Sequence, residues 1–172
     1  VYRRLVSTVL LAAGAATLVA FAQLATAAPT RRSAAPACAT GGLVVWMNTN
    51  GNGAAGTVYY VLRFTNLSGH TCTLRGFPGV SAVKLNGHQL GSAAGRDHTT
   101  PVKTISIANG HTAKATLGIV EAGNFPSSKC GQTTAAGLRV YPPNQTASKI
   151  VPSPFAACSH TGPIFLTVRA VT

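Results

Sequence analysis

Past residue 40 the chain alternates apolar and polar positions, and no window keeps a helical period with a cap. Leu43, Val45 and Met47 fall on one face of a first strand; Val58, Tyr60, Leu62 and Phe64 fall on one face of a second. Between them, Asn50-Gly51-Asn52-Gly53 is expected to form the loop, since both residue types tolerate positive φ. Residues 80–85 and 88–90 flank Asn86-Gly87, which predicts a hairpin with a type I′ turn. Residues 105–107 and 113–120 flank Asn109-Gly110 and predict a second such hairpin. Ala113, Ala115, Leu117 and Ile119 then face inward, and Lys114 and Thr116 outward. Residues 138–141 and 164–171 supply later strands, while Pro142-Pro143 and Pro152-x-Pro154 belong in loops or on an edge strand. About eight or nine short strands with frequent turns predict an all-β, antiparallel β-sandwich, with a partly open barrel as its rival.

The amino terminus follows a different pattern. Arg3-Arg4 precede an apolar run over residues 5–24, and Ala25-Thr26-Ala27 follows it. A basic start, an apolar stretch and an A-x-A site describe a signal peptide over residues 1–27, cleaved after Ala27. A retained anchor is the alternative, because the run approaches bilayer-spanning length. Residues 28–37 have no periodicity and are expected to form a flexible leader, so the folded domain is placed at 38–172. These features predict a secreted or envelope-associated protein.

Charge narrows the chemistry. Fourteen Lys and Arg stand against two acids, a formal charge of +12. Loss of Arg3 and Arg4 with the signal segment would lower it to +10. Asp97 and Glu121 are the only carboxylate side chains, too few for paired-carboxylate, two-metal or EF-hand chemistry. Cys38, Cys72, Cys130 and Cys158 all lie in the exported part, where an even count points to disulfides. Cys38 precedes the first strand and Cys72 lies just beyond its partner, so register favours Cys38–Cys72 and leaves Cys130–Cys158. Each bridge would close a loop worth roughly 3–4 kcal/mol in the chain-entropy model. No C-x-x-C spacing suggests zinc, and His70-Thr71-Cys72 is a lone H-x-C. No metal or cofactor is expected.

The sequence offers four features as candidate sites. Arg75, Phe77 and Pro78 belong to the Gly76-to-Gly79 turn, read either as an aromatic-tipped recognition loop or as a tight turn with Phe77 tucked into the sandwich edge. Asp97-His98 could serve a serine triad by inventory, but no G-x-S-x-G elbow is present. Asp97 is expected instead to pair with Arg96 or cap a turn. Histidines 70, 88, 98, 111 and 160 show no metal spacing and read as solvated loop residues. Asn66-Leu67-Ser68 and Asn144-Gln145-Thr146 match the glycosylation sequon, and modification of neither is expected.

Several segments together resemble a known family. They are Tyr59-Tyr60-Val61-Leu62, Phe64-Thr65-Asn66, Cys72-Thr73-Leu74-Arg75-Gly76-Phe77-Pro78-Gly79-Val80, and Leu138-Arg139-Val140-Tyr141-Pro142-Pro143, with Cys130 and Cys158. The pattern resembles the domain-of-unknown-function family DUF4232 over about residues 38–170. The resemblance implies an immunoglobulin-like sandwich in an exported or lipid-anchored actinobacterial, especially mycobacterial, protein, and no catalytic residues to carry over. Ala108-Asn109-Gly110 departs from an expected Pro-Gly, although Asn-Gly serves the same turn.

The expected function is therefore a non-enzymatic binding module of the cell envelope or medium. Its basic surface attracts anionic envelope glycans or lipids and suppresses self-association, which predicts a monomer. The alternative is a secreted effector or inhibitor that binds another exported protein through edge loops such as residues 76–79 and 123–131. A serine hydrolase ranks last. The dispersed cations lack the interleaved aromatics of a nucleic-acid groove.

Overall fold

The computed structural model describes residues 34–172. The expected signal segment and the first part of the leader lie outside the described residues. The elements are β1 (Leu43–Ala54), β2 (Thr57–Asn66), β3 (Cys72–Arg75), β4 (Gly79–Val83), β5 (Gln89–Leu90), β6 (Gly95–Asp97), β7 (Thr104–Ile107), β8 (Thr112–Val120), α1 (Ser127–Cys130), β9 (Gln132–Tyr141), β10 (Lys149–Cys158) and β11 (Leu166–Arg169). One sheet has the order β1-β2-β8-β11-β6, a second β10-β9-β4-β5, and β3 and β7 form a ribbon. The inner faces of the two larger sheets share one core, in which Leu62, Phe64 and Leu117 of the first lie with Val80, Leu138 and Val140 of the second. This is the sandwich that the alternation predicts. Leu43, Val45, Met47 and the alternate positions Ala113 to Ile119 are all buried. Three strands escape the sequence pattern. β3 and β6 have four and three residues, too few to reveal a period. β10 holds Pro152 and Pro154, which it tolerates because it is an edge strand whose register shifts between Pro152 and Phe155.

The turns correct the expectations. Residues 50–53 are not the first loop: β1 runs on to Ala54, and Ala55 and Gly56, at φ 49° and 76°, make the turn. The additional residues are absorbed as a bulge between Asn48 and Asn52. Gly51 permits it, since a Cβ there would lie 2.5 Å from Val58 Cγ1 and 2.7 Å from Tyr60 Cε1. In the β4–β5 hairpin Gly87 has positive φ and Asn86 does not, so the turn is not type I′. It spans Lys84 to Gly87 and closes with the Lys84 N–H donating to the His88 carbonyl, the geometry of a type I turn with a glycine bulge. Leu85 is thereby carried to the tip, 97% exposed.

The second expected hairpin is a crossover. β7 pairs with β3, from Cys72↔Ile107 to Arg75↔Thr104, whereas β8 pairs with β2 and β11. Asn66, at the end of β2, occupies the corner between them. Its side chain is fully buried. Nδ2 donates to the carbonyls of His70 (2.7 Å) and Ile107 (2.9 Å), and Oδ1 accepts from the Ser68 N–H (3.0 Å). Its backbone also pairs with Gly110 and His111 across the turn. The first sequon asparagine is thus a structural corner with no amide left to present.

Both disulfides pair as expected, Cys38–Cys72 and Cys130–Cys158. The order begins earlier than Cys38. The Pro36 carbonyl accepts the Thr73 N–H at 2.8 Å, and Ala37 bridges Thr73, so these leader residues already belong to the β3 ribbon. Residues 95–97, read as polar loop, form an edge strand parallel to β11, the one parallel pair of named strands among the described residues. Asp97 stands opposite Arg169 and is paired with it, not with Arg96, at 2.7 Å. Oδ1 also accepts the Thr99 N–H at 2.9 Å, so Asp97 caps a turn as well. These hydrogen bonds, the Thr99 backbone first and Arg169 second, lower its pKa from 3.8 to about 2.

Replacing Asn66 by Ala should destabilise the domain by about 2–4 kcal/mol, because buried carbonyls lose their donor. Urea unfolding under oxidising conditions reads this, and a loss below about 0.5 kcal/mol would mean that the backbone alone holds the corner. A second prediction concerns acid. The folded pKa of Asp97 lies below the unfolded value, so its contribution is present above about pH 4 and fades as pH falls towards 2. Partly exposed to water, the pair should contribute less than about 1 kcal/mol. In unfolding curves from pH 6 to 2, wild type and Asp97→Asn should converge at the acid end; a gap that persists there would rule out an ionic origin.

Candidate functional site

The geometry around the 75–79 turn begins with Gly76. It takes a φ of 103°, open to glycine and strained for other residues, and this turns the chain directly from β3 into β4. The Val171 N–H donates to the Gly76 carbonyl at 2.9 Å, and Asn144 Nδ2 donates to the Arg75 carbonyl at 3.0 Å. Asn144 itself has a φ of 59°, a conformation that Asn adopts more readily than most residues. So fixed, the turn leaves Arg75 exposed, buries Pro78 and half-buries Phe77.

Phe77 matches neither reading of the turn fully. Its ring is neither a free tip nor a core residue. It lies near two side chains of the β6 segment: the His98 ring, tilted, at 4.8 Å between centroids, and the Arg96 guanidinium carbon at 5.6 Å from the ring centre. The contact with Arg96 is a cation–π arrangement. Phe77 and Arg96 border a cleft of about 530 Å³ that is also lined by Arg75, Val102, Tyr141 and Asn144 among others. Two guanidiniums and an amide beside aromatic walls, with no carboxylate in the lining, suit a negatively charged group carried on a ring or short apolar scaffold. A second groove of about 570 Å³ runs beneath the Leu85 tip, between Lys84, Thr134, Ala135 and Pro154. It is mainly apolar with a single cation, so converging chemistry lies in the first cleft.

The other sequence candidates are accounted for by the fold. Both Asp97 oxygens are engaged, by Arg169 and Thr99, and the His98 ring lies tilted against Phe77 rather than meeting a carboxylate. Glu121 is exposed just beyond β8, where its backbone N–H donates to the Gly56 carbonyl. The Cys72 sulfur is bonded to Cys38 and is no thiolate ligand; His70 Nδ1 lies 3.1 Å from the Ser68 carbonyl. Among the described residues no group of three or more His, Cys, Asp or Glu is placed to hold a metal ion. The 123–131 segment is pinned rather than free. Asn124 Nδ2 donates to the Gly56 carbonyl, and the Gly131 carbonyl accepts both the N–H and the hydroxyl of Ser159 beside the Cys130–Cys158 bridge. The sequence reading missed Arg96, Tyr141 and Asn144 as companions of Arg75 and Phe77. Asn144 carried one usable signal, its place straight after Pro142-Pro143, where a turn residue is expected.

Two disulfides match an oxidising, extracytoplasmic environment. No curated protein and no solved structure matches the chain. The family model described as domain of unknown function DUF4232 matches residues 38–172, a span that holds both disulfides, the cleft and every named strand among the described residues. The chain belongs to the DUF4232 family.

Proposed function

We propose that this protein is an exported, non-enzymatic binding module that attaches to anionic polymers of the cell envelope, with the Arg75–Phe77–Arg96 cleft as its contact. One observation carries the reading: nearly all the cations among the described residues lack a carboxylate partner. Among the described residues Arg169 alone has a carboxylate partner, and the cleft sets Arg75 and Arg96 around Phe77 without any acid. Positive charge that the fold does not use internally remains available to an outside anion. The aromatic wall adds a flat apolar surface on which the scaffold of that anion can rest.

Co-sedimentation of the purified protein with isolated bacterial envelope, across a salt series, tests this. Binding should fade steeply as salt rises. At low salt the double variant Arg75→Gln, Arg96→Gln should bind roughly tenfold more weakly, the loss expected from removing two ion pairs at exposed positions. Salt-resistant binding, or a double variant equal to wild type, would overturn the reading and move attention to a protein partner.

A further inference from the structure

The outer face of the five-stranded sheet carries a second set of rings and charges. Trp46, Arg63 and Lys114 stand directly opposite one another across β1, β2 and β8. Tyr59 lies on the same face of β2, four residues from Arg63 and so about 13 Å along the strand. The Arg169 guanidinium carbon approaches the Tyr59 ring centre to 5.9 Å. Trp46 is 43% exposed and Tyr59 36%. The indole is not free to swing: Nε1 donates to Thr65 Oγ1 at 3.2 Å, and that hydroxyl is bonded to Thr112 Oγ1 at 2.9 Å. The Arg63 guanidinium carbon sits 5.0 Å from the indole centre. Arg63 Nε is closed off from solvent, while the indole beside it stays partly exposed.

Fold stability alone does not account for this arrangement. Like charges directly opposite on one sheet face are destabilising, and Arg63 faces Lys114 in register. Neither carboxylate side chain relieves them. Asp97 is engaged by Arg169, and Glu121 follows Lys114 by seven residues, about 23 Å of extended chain. Among the described residues Arg63 Nε is also the one buried side-chain nitrogen or oxygen without a hydrogen-bond partner. The sole tryptophan of the chain stands on the outside, beside Arg63.

We propose that this face is a second binding platform, for an extended anionic polysaccharide. The Trp46 and Tyr59 rings stack on sugar rings, and Lys114, with the Arg63 charge behind it, receives the carboxylate or phosphate groups. A pleated face with one ring on each of two paired strands, offset by about 13 Å along the strand direction, fits an extended chain of rings better than a single small anion. The oxidising setting implied by the disulfides favours a glycan over a nucleic acid. The platform shares a ligand class with the cleft but no residue, so either assignment can fail alone.

The single tryptophan makes intrinsic fluorescence a reporter of this face. Purified protein is titrated with oligogalacturonate and with a phosphate-bearing mannan, then with a neutral cello-oligosaccharide, polyphosphate and a single-stranded oligonucleotide. At least one anionic glycan should give a saturable change. Lys114→Gln should weaken it roughly tenfold, while Lys103→Gln, an exposed cation that belongs to neither site, should leave it unchanged. A melting temperature of Lys114→Gln within a few degrees of wild type assigns the loss to binding; a larger fall calls for the same comparison with Lys114→Arg, which should restore the response. Silence with both anionic glycans overturns the platform, as does an equal response to the neutral sugar. Equal responses to polyphosphate or the oligonucleotide would reduce it to bulk charge and overturn the glycan assignment.

Discussion

The buried side chain of Asn66 is the junction on which the rest of the structure depends. One amide satisfies carbonyls from the segment leading into β3 and from the end of β7, and accepts an N–H from its own loop. A buried polar group with all its partners present is directional in a way that apolar contact is not. It holds the β3–β7 ribbon at the end of β2 and sends the chain across to β8. The Cys38–Cys72 bridge and the Pro36–Ala37 pairing both depend on the ribbon staying in place. So does the Arg75–Phe77 turn, which leaves directly from β3.

Charge is the second constraint. With only two carboxylate side chains, the fold has almost no ion pairs with which to neutralise its cations. Three of them rest against aromatic rings: Arg63 on Trp46, Arg96 on Phe77 and, in addition to its ion pair with Asp97, Arg169 on Tyr59. A ring quadrupole offers a cation modest stabilisation without cancelling its charge. The resulting surface stays strongly positive and keeps flat apolar faces beside the charge. The cleft and the sheet face are two expressions of the same economy, one concave and one flat.

Stability and exposure divide along the same lines. The core is aliphatic with Phe64 and Phe165 fully buried, and two disulfides tie its ends. That leaves Trp46, Tyr59 and Phe77, which a small domain would ordinarily draw inward, at positions open to water.

Much of this was legible in the residues. Alternation at 43–47, 58–64 and 113–119 was enough to determine which faces are buried, because a period of two has one apolar side. Register and cysteine order were enough for both disulfides. Glycine positions marked most turns, but their types depended on which partner strand the chain met. Asn50–Gly53 reads as a loop in isolation and is a bulge once β2 lies beside it. Asn109-Gly110 reads as a hairpin and is a crossover because Asn66 intervenes from over forty residues away. Arg96, His98 and Asn144 came to Phe77 only through the β6–β11 pairing and the 142–145 loop, contacts between distant residues that leave no local period. The sequence alone determined the sandwich, its inner faces and its excess of positive charge, all properties of composition and short-range pattern. Which cations meet which rings was decided by tertiary structure, because long-range strand pairing sets those distances.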